Sequence, residues 1–233
     1  NQAKALGFTL FQGYFFSKPY IAGRSFRSTP SQIQYLLLMT EINAEEPSFE
    51  RLAELIEQDV TLTYRLLRLA SFRASSESIN SIKFALSYIG LREFERWLSI
   101  LMVHDLGKDK PAELIKISLI RTRFAESLAK RAKLKERDHD AALMGLFSIL
   151  DALMDQPMAD VLAGITLPQA ILDALIAGQG VLYPIYELLL AYEKGDWILV
   201  ESTAEALKID EFTIYHDYRE AIKWANDVIG NII

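Results

Sequence analysis

The residues best suited to chemistry are three His-Asp pairs: His104-Asp105, His139-Asp140 and His216-Asp217. Together they hold every histidine in the chain. The first pair lies in Val103-His104-Asp105-Leu106-Gly107-Lys108. Neighbouring His and Asp side chains can ligate a metal when further His and Asp residues converge on the same ion. The spacing from His104 to His139-Asp140 allows such convergence. However, no histidine precedes His104 to supply a ligand from an earlier helix. His139-Asp140 also falls in Lys135-Glu136-Arg137-Asp138-His139-Asp140, which reads as a polar helix start. A metal-binding pair belongs instead in apolar surroundings that control water. The simpler reading puts His104 near a helix C-terminus, where the dipole favours an imidazolium, and Asp138 and Asp140 at a helix N-terminus. The expectation is therefore no metal, no cofactor and no catalytic residue.

Other chemistries are thinly supplied. Cysteine is absent, which removes thiolate nucleophiles, Cys-based zinc sites and disulfides. There is no G-x-G-x-x-G string, no Walker A string and no G-x-S-x-G elbow. Arg65, Arg68 and Arg73 follow a short turn after the 49–57 segment, a shape that could face phosphates as a helix-turn-helix does. Glu50, Glu54, Glu57 and Asp59 balance them together with Arg51, so the plainer reading is arginine stems over the core with paired heads. A basic stretch runs from Lys116 to Arg137 and includes Arg121 and Arg123. It reads either as a phosphate-binding face or as a solvated helix face. The net charge of -6 favours the second reading and argues against nucleic acid. No apolar run approaches the roughly 20 residues that span a bilayer, so no membrane role and a cytoplasmic location are expected.

The elements that must position these residues are helical almost throughout. Pro30 opens a helix with Ile33, Leu36, Leu37 and Ile42 as its expected apolar stripe. Ser48 and Asp59 are placed to cap the next two. Ser78-Ile79-Asn80 leads to a helix ending near Gly90. Another runs from 91 to 106 and meets Gly107, read as a left-handed terminator. Pro111 starts a helix expected to run through Lys135, followed by one from 138 to 154. Later helices follow Pro168, Pro184, Asp196 and Asp210. The first 25 residues differ: Phe8-Thr9-Leu10-Phe11-Gln12-Gly13-Tyr14-Phe15-Phe16 reads as a strand, broken by Ser17-Lys18-Pro19. One strand cannot build a sheet alone. With Asn1 rather than Met at the start, the numbering is expected to begin inside a longer protein.

Two segments resemble known families. Ala5-Leu6-Gly7-Phe8 through Pro19, with its Gln12-Gly13-Tyr14-Phe15-Phe16 core, resembles the last strand of an EAL domain. That family has a TIM-like barrel and hydrolyses cyclic di-GMP with metal, but its other ligand strands are missing from this sequence. The rest resembles the HDOD domain, a helical signal-output relative of the HD phosphohydrolases. The likeness rests on Thr61-Leu62-Thr63-Tyr64-Arg65-Leu66-Leu67-Arg68-Leu69-Ala70 and on Ile79-Asn80-Ser81-Ile82-Lys83-Phe84-Ala85-Leu86-Ser87-Tyr88-Ile89-Gly90. Ala191-Tyr192-Glu193-Lys194-Gly195-Asp196-Trp197 resembles a motif of two-domain EAL–HDOD regulators.

The resemblance implies an all-α fold: a compact multi-helix HDOD domain over 26–233 behind an EAL remnant over 1–25. It puts Thr122 where HD enzymes carry their first metal-binding histidine, and Ser148 and Ile149 where they carry His-Asp. It therefore implies a non-catalytic regulatory module that binds a protein partner, with homodimerisation left open. The alternative is a nucleotide sensor in which Arg121 and Arg123 meet phosphates. Arg65 and Arg68 are further candidates for partner or ligand contacts. A metal-dependent HD phosphohydrolase is the third reading, and it requires His104, His139 and Asp140 to converge.

Overall fold

A computed structural model describes residues 30–73, 81–134 and 137–232. The expected strand within 8–16, the whole 1–25 segment and Ser78-Ile79-Asn80 lie outside the described residues.

Helices follow one another from the first described residue. The N-terminal set is α1 (Pro30–Ile42), α2 (Phe49–Glu57), α3 (Val60–Arg73), α4 (Ile82–Ile89) and α5 (Leu91–Leu106). Their starts are chemically specified. The Ser48 hydroxyl accepts from the Arg51 N–H, and the Asp59 carboxylate accepts from those of Thr61 and Leu62. Ser81 caps α4 by accepting from the Phe84 N–H. α1 meets only part of the expected stripe: Ile42 is buried and Leu36 packs against the core, but the buried face is centred elsewhere. Tyr35, Leu38, Met39 and Ile42 are buried, while Ile33 and Leu37 are about half exposed. The helix is apolar nearly all round, so period alone does not choose a face. Tyr35 does, because its hydroxyl donates to Asp105 at 2.5 Å and ties α1 to the end of α5.

The centre is α6 (Ala112–Arg131), which packs along α7 (Asp138–Phe147) and carries the C-terminal helices on another side. Its buried positions, from Leu114 through Leu119 and Phe124 to Leu128, fall on more than one side, as a helix covered by several neighbours requires. α6 stops at Arg131 rather than near Lys135. Lys133 takes a left-handed conformation, its N–H bonds the Lys130 carbonyl and that of Leu134 bonds Ala129, which completes a Schellman stop. Gly107, by contrast, is not left-handed; its φ is -90°. It is glycine because a Cβ there would sit 2.9 Å from the Ile115 side chain.

The helix expected over 138–154 is two: α7, then α8 (Leu150–Met154). The Ser148 hydroxyl donates to the Gly145 carbonyl at 2.7 Å and competes with the helix ladder at the break. α9 (Met158–Leu162), after Pro157, has no counterpart in the sequence reading. Next come α10 (Gln169–Leu172), a π-helical turn (Asp173–Ala177), α11 (Tyr183–Lys194), α12 (Trp197–Leu207) and α13 (Glu211–Ile232). Asp196 caps α12. α11 and α13 both lie against α6, where Phe124 meets Tyr192 and Tyr218 edge to face at 5.5 and 5.1 Å. No helix of the described residues is long and apolar enough to cross a membrane.

Candidate functional site

The site that the resemblance singles out lies where α6 crosses α7. The two backbones touch there. A Cβ on Gly145 would stand 2.6 Å from the Arg121 carbonyl carbon and 2.9 Å from the Thr122 nitrogen. The hydroxyls around the crossing are spent on helix carbonyls. Ser118 donates to Leu146 at 2.6 Å, Thr122 to Ser118 at 2.8 Å and Ser148 to Gly145. Ile149 is buried.

Arg121 spans this crossing. Its Nε and Nη2 donate to the Glu193 carboxylate on α11, the closest contact being 2.6 Å, and its Nη1 donates to Ser148 Oγ at 3.0 Å. Both partners of the ion pair are only about a tenth exposed. Burial works against the Arg121 charge, but Glu193 outweighs it and holds the guanidinium above its ordinary pKa. Two further polar groups stand close enough to feel Arg121. Burial pushes the Asp151 carboxyl and the Tyr186 phenol up.

This donor set suits an ion pair and not a divalent cation. The hydroxyls already donate to carbonyls and Ile149 has no ligand atom; of the nearby carboxylates, Glu193 is taken by Arg121 and Asp151 is pushed toward its neutral form by burial, and a fixed guanidinium repels a second cation. Among the described residues, no three His, Asp or Glu side chains are grouped to hold a metal ion.

The other nominated residues are dispersed. Arg123 lies two residues from Arg121 but pairs with Glu126 at 2.8 Å, not with the crossing. Glu126 also takes Arg96 at 3.2 Å and Lys130 at 2.6 Å. Burial alone would raise its carboxyl, yet Lys130, Arg96 and Arg123 hold it below the ordinary value. On α3, Arg65 is half-buried near the Tyr35 hydroxyl and Arg68 is exposed.

The His-Asp pairs serve three separate places. His104 Nδ1 lies 3.2 Å from Asp105, whose carboxylate also takes Lys108 and Tyr35. His139 is not at a solvated helix start; it is 7% exposed and bonds Glu95, itself 6% exposed, at 2.7 Å. Asn43 donates to the other Glu95 oxygen at 2.9 Å. Asp140 pairs instead with Arg137. Asp217 receives Arg131 and joins α13 to the end of α6. Sequence reasoning missed Glu193 and Glu95. The Glu193 motif was visible, but nothing local linked it to Arg121.

A family model for the HDOD domain matches residues 29–161, more than half of the chain. The chain is 33% identical over 230 residues to a protein of Vibrio cholerae named cyclic di-GMP phosphodiesterase CdgJ. It is 34% identical over 234 aligned positions to uncharacterized protein YuxH of Bacillus subtilis. Both alignments cover 98% of this chain but only 53% and 56% of the relatives, so the chain spans about half their length. No solved structure matches the chain significantly.

Proposed function

The chain belongs to the HDOD domain family, and from that premise we propose that it is a non-catalytic output module of a bacterial cyclic-di-GMP-type signalling protein, acting by binding a protein partner. The observation that carries this reading is the Arg121–Glu193 ion pair, which with Ser148 occupies the α6–α7 crossing. The crossing is the place where the family resemblance would put His-Asp metal chemistry. A buried carboxylate already satisfies the cation there, and the backbones close the space beside it. The likeness to a relative named as a cyclic di-GMP phosphodiesterase supports the signalling context. Because half of that relative lies beyond the match, its named activity is not assigned to this chain.

The nucleotide-sensing alternative requires Arg121 to exchange Glu193 for a phosphate and Arg123 to leave Glu126. No observation favours that exchange.

The test is metal content of the purified protein by mass spectrometry, with cyclic-di-GMP hydrolysis measured on the same sample. The expected outcome is neither stoichiometric metal nor turnover. Stoichiometric metal that is lost on His139→Ala would overturn the reading and put a hydrolase first.

A further inference from the structure

The largest exposed aromatic groups of the C-terminal half lie on two consecutive helices. On α12, Trp197 is 62% exposed and Ile198 84%; on α13, Phe212 is 91% exposed and Tyr215 59%. Phe212 and Tyr215 are three residues apart and share a helix face. Both helices reach Tyr192 of α11, whose ring stands 5.6 Å from Trp197 and 4.9 Å from Tyr218; burial, and after it Tyr215, holds its phenol above the ordinary pKa. The exposed rings therefore edge a buried aromatic cluster that is anchored on Phe124 of α6. Singly exposed apolar residues are ordinary, but a grouped aromatic surface on a rigid support is the composition of a binding hot spot.

The charge around this surface names its partner. Residues 196–220 carry seven carboxylates against two cations, Lys208 and Arg219. Two of the carboxylates are committed, Asp217 to Arg131 and Glu220 to Lys223. Arg219 is itself engaged over the Tyr215 ring at 5.6 Å. Glu201, Glu205 and Glu211 are exposed and pair with no cation among the described residues. Glu201 stands one turn from Trp197, Glu205 one turn further along α12, and Glu211 one turn before Tyr215. Free carboxylates thus rim the aromatic groups on both helices.

We propose that the exposed faces of α12 and α13 together dock a cationic amphipathic helix of a partner protein. Apolar side chains of that helix cover Trp197, Ile198, Phe212 and Tyr215, and its Lys or Arg heads meet Glu201, Glu205 and Glu211. The assignment rests on the reading of the chain as a protein-binding output module and gives that partner its chemistry.

The probe is a synthetic amphipathic helix with Leu on one face and Lys on the other, titrated into the full chain. A Leu-Glu twin serves as the charge-reversed control. Trp197 reports directly through the emission difference between the wild type and Trp197→Phe. Saturable binding with a blue shift of that difference emission is expected, weakening as salt rises, with no binding of the twin. The triple variant Glu201→Gln/Glu205→Gln/Glu211→Gln is expected to weaken binding about tenfold or more. A distal control, Glu45→Gln/Glu46→Gln/Glu57→Gln, also removes exposed carboxylates and is expected to leave binding unchanged.

Equal loss in the two triple variants, or equal binding of the two peptides, would overturn the proposal by reducing the effect to net charge. Trp197 emission already blue in the free protein would also overturn it, because the face would be covered by this chain or by a second copy. The same samples are assayed for cyclic-di-GMP turnover. Turnover would sink the output-module reading whatever the peptide does, whereas a silent protein that ignores the peptide would sink only the docking assignment.

Discussion

Replacing Gly145 with alanine sets two opposed effects against each other, and the structure decides between them. Gly145 lies inside α7, where alanine is intrinsically favoured by up to about 1 kcal/mol. Against this, the added Cβ would lie 2.6 Å from the Arg121 carbonyl carbon, 2.9 Å from the Thr122 nitrogen and closer still to the Arg121 oxygen. Ordinary carbon contacts need roughly 3.5 Å or more, so α6 and α7 must part by about 1 Å. What is struck is backbone, which cannot rotate away as a long side chain does. Parting the helices also stretches the Ser118–Leu146 hydrogen bond and loosens contacts around Phe124 and Phe147, both fully buried. Overpacking of this kind costs about 3 kcal/mol. The net loss is then about 2 kcal/mol, or roughly 4–8 °C in Tm for a domain of this size.

Urea titration and thermal melting followed by circular dichroism measure this effect. Gly230→Ala is the matched control, since a Cβ at that position of α13 meets nothing within 4 Å. It is expected to stay at wild-type stability or slightly above it. If Gly145→Ala proves as stable as the control, the close approach of α6 and α7 is not a constraint, and the account of the crossing fails with it.

Two further outcomes are expected. Arg121→Met leaves Glu193 buried without its guanidinium and lowers unfolding free energy by about 3 kcal/mol, while Arg121→Met/Glu193→Leu recovers most of the loss; urea titration of the set checks this, and a double variant no better than the single would refute it. The Glu126 carboxyl is held below its ordinary value of 4.5, so the stability it gives is complete above that value and lost as pH falls through the lower folded value. Thermal melting against pH is therefore expected to show an acid limb below about 4.5 that Glu126→Gln flattens while lowering Tm at pH 7; an unchanged limb would refute the assignment.

What the sequence made legible was local. Ser48, Asp59, Asp196 and Asp210 each announce a helix because a short acceptor can reach an N–H two or three residues ahead. Features set by distant partners were not legible. Lys133 carries no glycine signal, yet it terminates α6 because Leu134 packs back against the core. α7 and α8 read as one helix, since the Ser148 hydroxyl that breaks it is equally at home inside a helix or at its end. His139 looked solvated because charged residues flank it, and only Glu95, 44 residues away, gives it a reason to be buried.

Distant partners also decide where the folded unit ends. The family match stops at residue 161, but two α6 arginines, the buried Arg121 and the exposed Arg131, find their partners beyond it in Glu193 and Asp217. Phe124 likewise relies on Tyr192 and Tyr218 to cover it. A core cut at 161 would expose an aromatic surface and leave Arg121 without its counter-charge, so the C-terminal helices are part of what makes the crossing an ion pair rather than an open cleft. Those helices also carry the exposed Trp197, Phe212 and Tyr215. The exposed Trp197 and the pair that fills the crossing are therefore joined through Tyr192 and Glu193, adjacent residues of α11.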